Sequence, residues 1–342
     1  MEVLFMTKKS TEIPLMYHPT NVVILDDDPK ILTDLSLVLA HDIPYVVNND
    51  PQKIMQYLKT HVYHPDTLSA LITQQTFDNP EPSTQETFAI DYSRLPGNLE
   101  EPTRFKKSLH IMIDRAMKKI DGLEFCSAVR EENWPVHLTL FTGQTTDAAA
   151  VQAFNQKIID GFLVKEGDYA KVAVKINNLI RENTWQQFVN LGIKLAGPLL
   201  HLLKPLRDEQ FVKVFMQIYE KYKIVEFYLL DSSCSFLLID ADGHAKHFFV
   251  RNDADFVDCY EIAKNSEATH KILEAIRGRQ MFPYTKEVMG YAELQGEQWE
   301  SDGMMVEMHK VPGRELYYTV VNRPDIKVFS FNRYLQEEWP KP

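Results

Sequence analysis

Asp26, Asp27, Asp114, Thr142 and Lys165 are the side chains whose types could do chemistry together, because each follows directly on a short apolar run. Val22-Val23-Ile24-Leu25 leads into the triplet Asp26-Asp27-Asp28, and Leu109-His110-Ile111-Met112-Ile113 leads into Asp114. Val136-His137-Leu138-Thr139-Leu140-Phe141 ends at Thr142, and Gly161-Phe162-Leu163-Val164 ends at Lys165. Carboxylates suit a hard divalent cation that takes oxygen ligands. A further carboxylate beside such a cation can accept a phosphoryl group, whose oxygens a hydroxyl and an amine can hold. Singly, none of these residues carries weight. An acidic triplet is usually a solvated loop, a lone lysine an exposed charge, and Phe162 a core aromatic. The signal is their joint order.

Apolar runs of this length, separated by helix-length segments, read as buried parallel strands. In an open parallel sheet, ligands bind beyond the carboxyl ends of the strands. All five residues would then share one rim. Ile43 to Val47 reads as a further strand and Pro51 to His61 as a helix, while Pro29 suits a first helical turn.

Four stretches, in order, resemble the receiver domain of bacterial two-component response regulators. They are Val22-Val23-Ile24-Leu25-Asp26-Asp27-Asp28-Pro29, Ile113-Asp114-Arg115-Ala116-Met117-Lys118-Lys119-Ile120-Asp121-Gly122-Leu123-Glu124-Phe125, Leu140-Phe141-Thr142-Gly143, and Gly161-Phe162-Leu163-Val164-Lys165. The resemblance covers residues 20–182 and implies an α/β, flavodoxin-like, doubly wound parallel five-stranded sheet. It implies that Asp114 is the phosphoacceptor and that Asp27 ligates Mg2+ directly, with Asp26 orienting a coordinating water. Asp114 and the backbone carbonyl of Ala116 would add further ligands. Thr142 and Lys165 would hold the phosphoryl oxygens, and Thr142 with Phe162 would form the switch. The implied partner is a sensor histidine kinase that donates from phosphohistidine. The implied consequence is a change in the face made by the fourth helix, fifth strand and fifth helix, leading to a homodimer. Self-phosphorylation is then the one catalytic act expected.

The chain departs from the family pattern in four places. Lys118 stands where the pattern has proline, and Glu166 follows Lys165 where receivers carry a cis proline. Ala116 leaves a small flank beside the acceptor, which predicts altered water access and a changed phosphoryl lifetime. The stretch from Asp27 to Asp114 is unusually long and points to an insertion over about 62–107. Leu68 to Thr73 reads there as a short element, and Asn79-Pro80-Glu81-Pro82-Ser83-Thr84-Gln85-Glu86 as a polar loop. An ordered surface excursion is the plain reading, with a partner contact as the alternative.

A length of 342 residues suits two domains. The net charge of −11 is shared by two acidic halves, which disfavours nucleic acid as the main partner. No run approaches the ~18 apolar residues of a membrane span, and no leader is evident. The expectation is a cytoplasmic protein without membrane contact. Met6 is an alternative first residue, with the preceding five foreign to the native chain. Cys126, Cys234 and Cys259 show no metal spacing and read as reduced, buried thiols.

Tyr169 to Arg181 has helical periodicity and should close the receiver. Asn183-Thr184 could cap a new helix at Trp185, opening an α+β domain over 185–342. Its helices are expected at Asp208 to Tyr222, Asp255 to Lys264 and Ala268 to Arg277. Its strands are expected at Ile224 to Leu230, Ser235 to Ile239, Lys246 to Val250, Met304 to His309 and Leu316 to Val321. Asp240 and Asp242 alternate as metal-binding carboxylates do in nucleotidyltransferase-type enzymes, but the Asp-Gly turn Ala241-Asp242-Gly243-His244 explains them better. Lys271, Arg277 and Arg279 form a basic cluster, read as a solvated helix end with phosphate or nucleic-acid contact as the alternative. The segment from Asp231 to Gly243 resembles an output domain that accompanies some receivers. The whole arrangement resembles the quorum-sensing response regulators of α-hydroxyketone systems. That resemblance implies growth-phase and virulence control, and assigns the second half no chemistry.

Overall fold

The computed structural model describes residues 11–39, 41–64, 72–75, 87–90, 94–143, 148–165, 169–196, 203–285, 290–301 and 304–339. Among the described residues a two-residue strand, β1 (Met16–Tyr17), comes first. Five parallel strands follow: β2 (Asn21–Leu25), β3 (Tyr45–Asn48), β6 (Ser108–Asp114), β7 (His137–Thr142) and β8 (Gly161–Val164). Their order in the sheet is β3-β2-β6-β7-β8. Every residue of β2 and β6 is buried, as the unbroken apolar runs require of central parallel strands.

Alternation along β2 splits its side chains between two cores. Val22 and Ile24 face Leu35, Val172 and Ile176 from α1 (Pro29–Val38) and α5 (Tyr169–Ala196). Val23 and Leu25 face Ile54, Phe125 and Ala150 from α2 (Pro51–His61), α3 (Gly122–Glu131) and α4 (Ala148–Asn155). The doubly wound, five-stranded arrangement expected from the sequence is present. Asp28, Asp50 and Asp121 each cap the helix they precede by accepting a backbone N–H.

Within the 62–107 stretch, β4 (Ile72–Gln75) pairs antiparallel with β5 (Thr87–Ile90), outside the parallel sheet. A 3-10 turn over Pro102–Lys106 leads into β6. Leu68 to Leu71 and the polar loop Asn79 to Glu86 lie outside the described residues.

One expectation is corrected. No helix begins at Trp185, because α5 runs unbroken from Tyr169 to Ala196. Its first half packs on the parallel sheet through Val172, Ile176 and Ile180. Its second half buries Trp185, Phe188 and Leu191 in the other core. That burial overrides the weak capping preference of Asn183-Thr184.

The second half is built on a six-stranded antiparallel sheet with order β1-β9-β10-β11-β15-β14. Its remaining members are β9 (Ile224–Leu229), β10 (Phe236–Asp240), β11 (Ala245–Asn252), β14 (His309–Lys310) and β15 (Leu316–Asn322). One edge is therefore the N-terminal β1, with Met16 opposite Tyr228. Helix α6 (Glu209–Lys221) covers one face through Phe211 and Phe215. The other face carries α7 (Asp253–Asn265) and α8 (His270–Arg277). Beside them lies a small pair, β12 (Met281–Pro283) with β13 (Met305–Glu307), and Phe249, Phe256, Phe282 and Trp299 fill the layer between.

The two halves are joined by more than α5. Arg104 forms a buried bidentate pair with Glu226 on β9, at 2.7 and 2.9 Å. The same guanidinium donates to the carbonyls of Leu99, Glu101 and Phe329. A short helix, α9 (Phe331–Arg333), and the turn after it then return to the first half. Phe331 and Tyr334 pack on Phe105, and Trp339 donates its indole N–H to the Tyr45 carbonyl.

Candidate functional site

Parallel register sets the rim. Leu25 lies beside Ile113, Ile113 beside Leu140, and Thr142 beside Val164. The residues that follow or end these strands therefore emerge together. Lys165 is the hub: its ammonium donates to Asp26 Oδ2 at 2.8 Å and lies 2.7 Å from Asp114 Oδ1. It also sits 5.1 Å from the ring centre of Phe141. Asp26 and Asp114 are buried, Asp27 is half-buried, and Thr142 is buried at the end of β7.

Burial raises the Asp26 pKa, and the Lys165 hydrogen bond works against that rise. For Lys165, burial disfavours the ammonium, but hydrogen bonds to Asp114 and Asp26 outweigh it and its pKa is raised. Lys165 therefore stays charged across the neutral range.

The loop after Asp114 is tightly fixed. The Arg115 N–H donates to the Phe141 carbonyl and the Gly122 N–H to the Arg115 carbonyl. A Cβ on Gly122 would lie 2.2 Å from the Asp114 carbonyl oxygen, so only glycine fits there. Arg115 pairs with Asp121, and Lys119 pairs with Asp50 at 3.3 Å. Ala116 is exposed on this loop. Phe162 is 41% exposed on β8, not packed in the core. Glu166 lies outside the described residues.

Asp26, Asp27 and Asp114 each offer an oxygen within 4.8 Å of the others. The Lys165 ammonium contacts two of these three carboxylates, so among the described residues the cluster carries excess negative charge. The hard oxygen set and that charge both fit a divalent cation such as Mg2+.

A second cluster, Asp240, Asp242 and His244, closes the β10–β11 hairpin. Asp240 Oδ1 accepts the N–H groups of both Asp242 and His244, and its other oxygen is 3.1 Å from His244 Nδ1. The basic cluster is largely paired: Arg279 makes two bonds to Asp253, and Arg277 lies beside Glu274. The three cysteines are free and buried.

Sequence reasoning did not find the Lys118 N–H, which donates to Asp27 Oδ2 at 3.0 Å. Its only signal was the missing proline. Nor did it find the Arg104–Glu226 pair, whose members lie far apart in the chain and show no local pattern.

No protein-family model matches the chain, and no curated protein matches it. Solved structures do. The Legionella pneumophila response regulator LqsR is similar over 95% of this chain and 96% of its own, with 24% identity and a TM-score of 0.73. The receiver domain of the Francisella response regulator 1452 aligns with 48% of this chain and 98% of its own, at 15% identity and a TM-score of 0.31. A two-component response regulator from Clostridium difficile aligns with 47% of this chain and 96% of its own, at 14% identity and 0.29. These two scores are too low to bear on the fold. The chain has the fold of the response regulator LqsR, which here joins a half built on a parallel five-stranded sheet to a half built on a six-stranded antiparallel sheet.

Proposed function

We propose that this chain is a response regulator of a phosphorelay, in which Asp114 accepts a phosphoryl group from a sensor histidine kinase. The observation that carries the reading is the Lys165 ammonium held between Asp26 and Asp114 on a rim shared with Thr142. Residues 20–182 serve as receiver, with the 62–107 insertion, and residues 185–342 as output, with α5 common to both. Mg2+ would be held by Asp27, Asp114 and the Ala116 carbonyl, with Asp26 orienting a bound water, and when bound supplies positive charge to the phosphoryl oxygens.

The Asp114 carboxylate, which Lys165 contacts through Oδ1, attacks phosphorus through one of its oxygens. A P–O bond forms there as the P–N bond to the donor imidazole breaks, and the imidazole takes up a proton on leaving. The acyl phosphate brings roughly two negative charges to the rim. Lys165 and the Thr142 hydroxyl then turn to its oxygens. Movement of Thr142 opens space that the exposed Phe162 fills. Val151 and Phe154 on α4 and Val174 on α5 are also exposed apolar residues on the elements flanking β8. Covering them would favour a homodimer on phosphorylation. The setting is cytoplasmic, and the programme is the quorum-sensing and virulence control implied by the sequence resemblance. An output enzyme is not favoured, since Asp240 spends its carboxylate on its own turn.

Intact mass after incubation with an acyl-phosphate donor and Mg2+ tests this. The parent chain should gain one phosphoryl group and increase in size, and Asp114→Asn should do neither. An unchanged parent mass would end the proposal.

A further inference from the structure

The Lys118 N–H bond to Asp27 Oδ2 crosses from the loop after β6 to the loop after β2. A proline there has no N–H to give, so the bond exists because residue 118 is not proline. In this chain the bond restrains Asp27. It is half-buried among three consecutive carboxylates, while Asp26 is fixed by Lys165 and by the Asp28 N–H. The loop that carries the donor is closed by the Gly122 N–H, which donates to the Arg115 carbonyl, and Lys119 pairs with Asp50 at the surface. With Oδ2 so held, Asp27 keeps an oxygen within 4.8 Å of those of Asp26 and Asp114.

We propose that Lys118 is a positioning residue, whose peptide N–H sets the Asp27 carboxylate in cation-ready orientation before any cation arrives. This rests on the metal-dependent reading above. The side chain takes no part, so the effect must be selective. Groups that orient metal-binding carboxylates typically account for ~10–100-fold in affinity. Lys118 is not in the left-handed region of backbone space, so proline is not excluded by the sign of φ.

The test is calorimetric titration of Mg2+ into the full chain, with no phosphoryl donor present. Lys118→Pro should bind about 10-fold more weakly, whereas Lys118→Ala, which keeps the N–H, should stay within about twofold of the parent. Equal binding by all three overturns the positioning role and leaves the metal site standing, as does an equal loss in the alanine variant. No Mg2+ uptake by the parent would overturn the metal reading and this inference together. If Lys118→Pro fails to fold, amide exchange in the parent decides. The Lys118 N–H should be protected with and without Mg2+, and exchange at the rate of an open loop amide refutes the tether.

Discussion

Removing Glu226 should destabilise the chain far more than an average substitution. Its Oε2 accepts from Arg104 Nε at 2.7 Å and from the Tyr228 hydroxyl at 2.8 Å, and Oε1 accepts from Arg104 Nη2 at 2.9 Å. Neither partner reaches bulk water: Glu226 is 0% exposed and Arg104 7%. Glu226→Ala leaves a buried guanidinium without its counter-charge and takes away the carboxylate to which the Tyr228 hydroxyl donates. Breaking a buried pair by deleting one member costs about 3–5 kcal/mol. Total stability of a folded domain is commonly about 5–15 kcal/mol, so a large share would go. Replacing both partners with apolar residues, Arg104→Met with Glu226→Leu, should recover much of the loss, since no orphaned charge remains. Urea unfolding of the parent, both single variants and the double variant gives the coupling directly. A Glu226→Ala cost below about 1 kcal/mol, in the range of an exposed pair, would refute the reasoning.

Gly122→Ala should slow phosphorylation of Asp114 more than tenfold (~10-fold is ~1.4 kcal/mol), because the added methyl collides with the Asp114 carbonyl; a normal rate by intact mass would contradict this. Stability should fall as the pH drops below neutrality. Burial lowers the His18 pKa to about 3 and the His247 pKa to about 4, from 6.5. The unfolded chain therefore binds protons first as pH drops below 6.5, and stability is lost progressively down to the folded values. From about pH 7.5 to 5.5 these two groups should remove about 3 kcal/mol, read as a falling urea midpoint; a flat profile would count against it. Ala116→Asn should change the decay rate of phosphorylated Asp114, followed by mass over time, and identical rates would remove Ala116 from the account.

Much of this was legible because the determinants are local. The unbroken apolar runs of β2 and β6 could only be central strands, and Asp28-Pro29 and Asp50-Pro51 mark helix starts by cap chemistry. Asp240 to His244 likewise read as a turn because its hydrogen bonds are local. What escaped is non-local. Met16–Tyr17 is too short to declare a strand and gains its identity from Tyr228 and Phe227 opposite. The continuation of α5 past Thr184 depends on a core supplied by residues far downstream. Lys118 looked like a mere departure because a backbone N–H leaves no signature in side-chain type.

The placement of β1 constrains the order in which the molecule can assemble. Strand β1 has no neighbour until β9 is made, so the antiparallel sheet cannot gain that edge early. Closing such a distant pair waits until all five strands of the parallel sheet have been made. A chain halted after Val164 would thus leave Leu15 and Met16 as an idle apolar segment without most of the core that buries them, a ready target for chaperones.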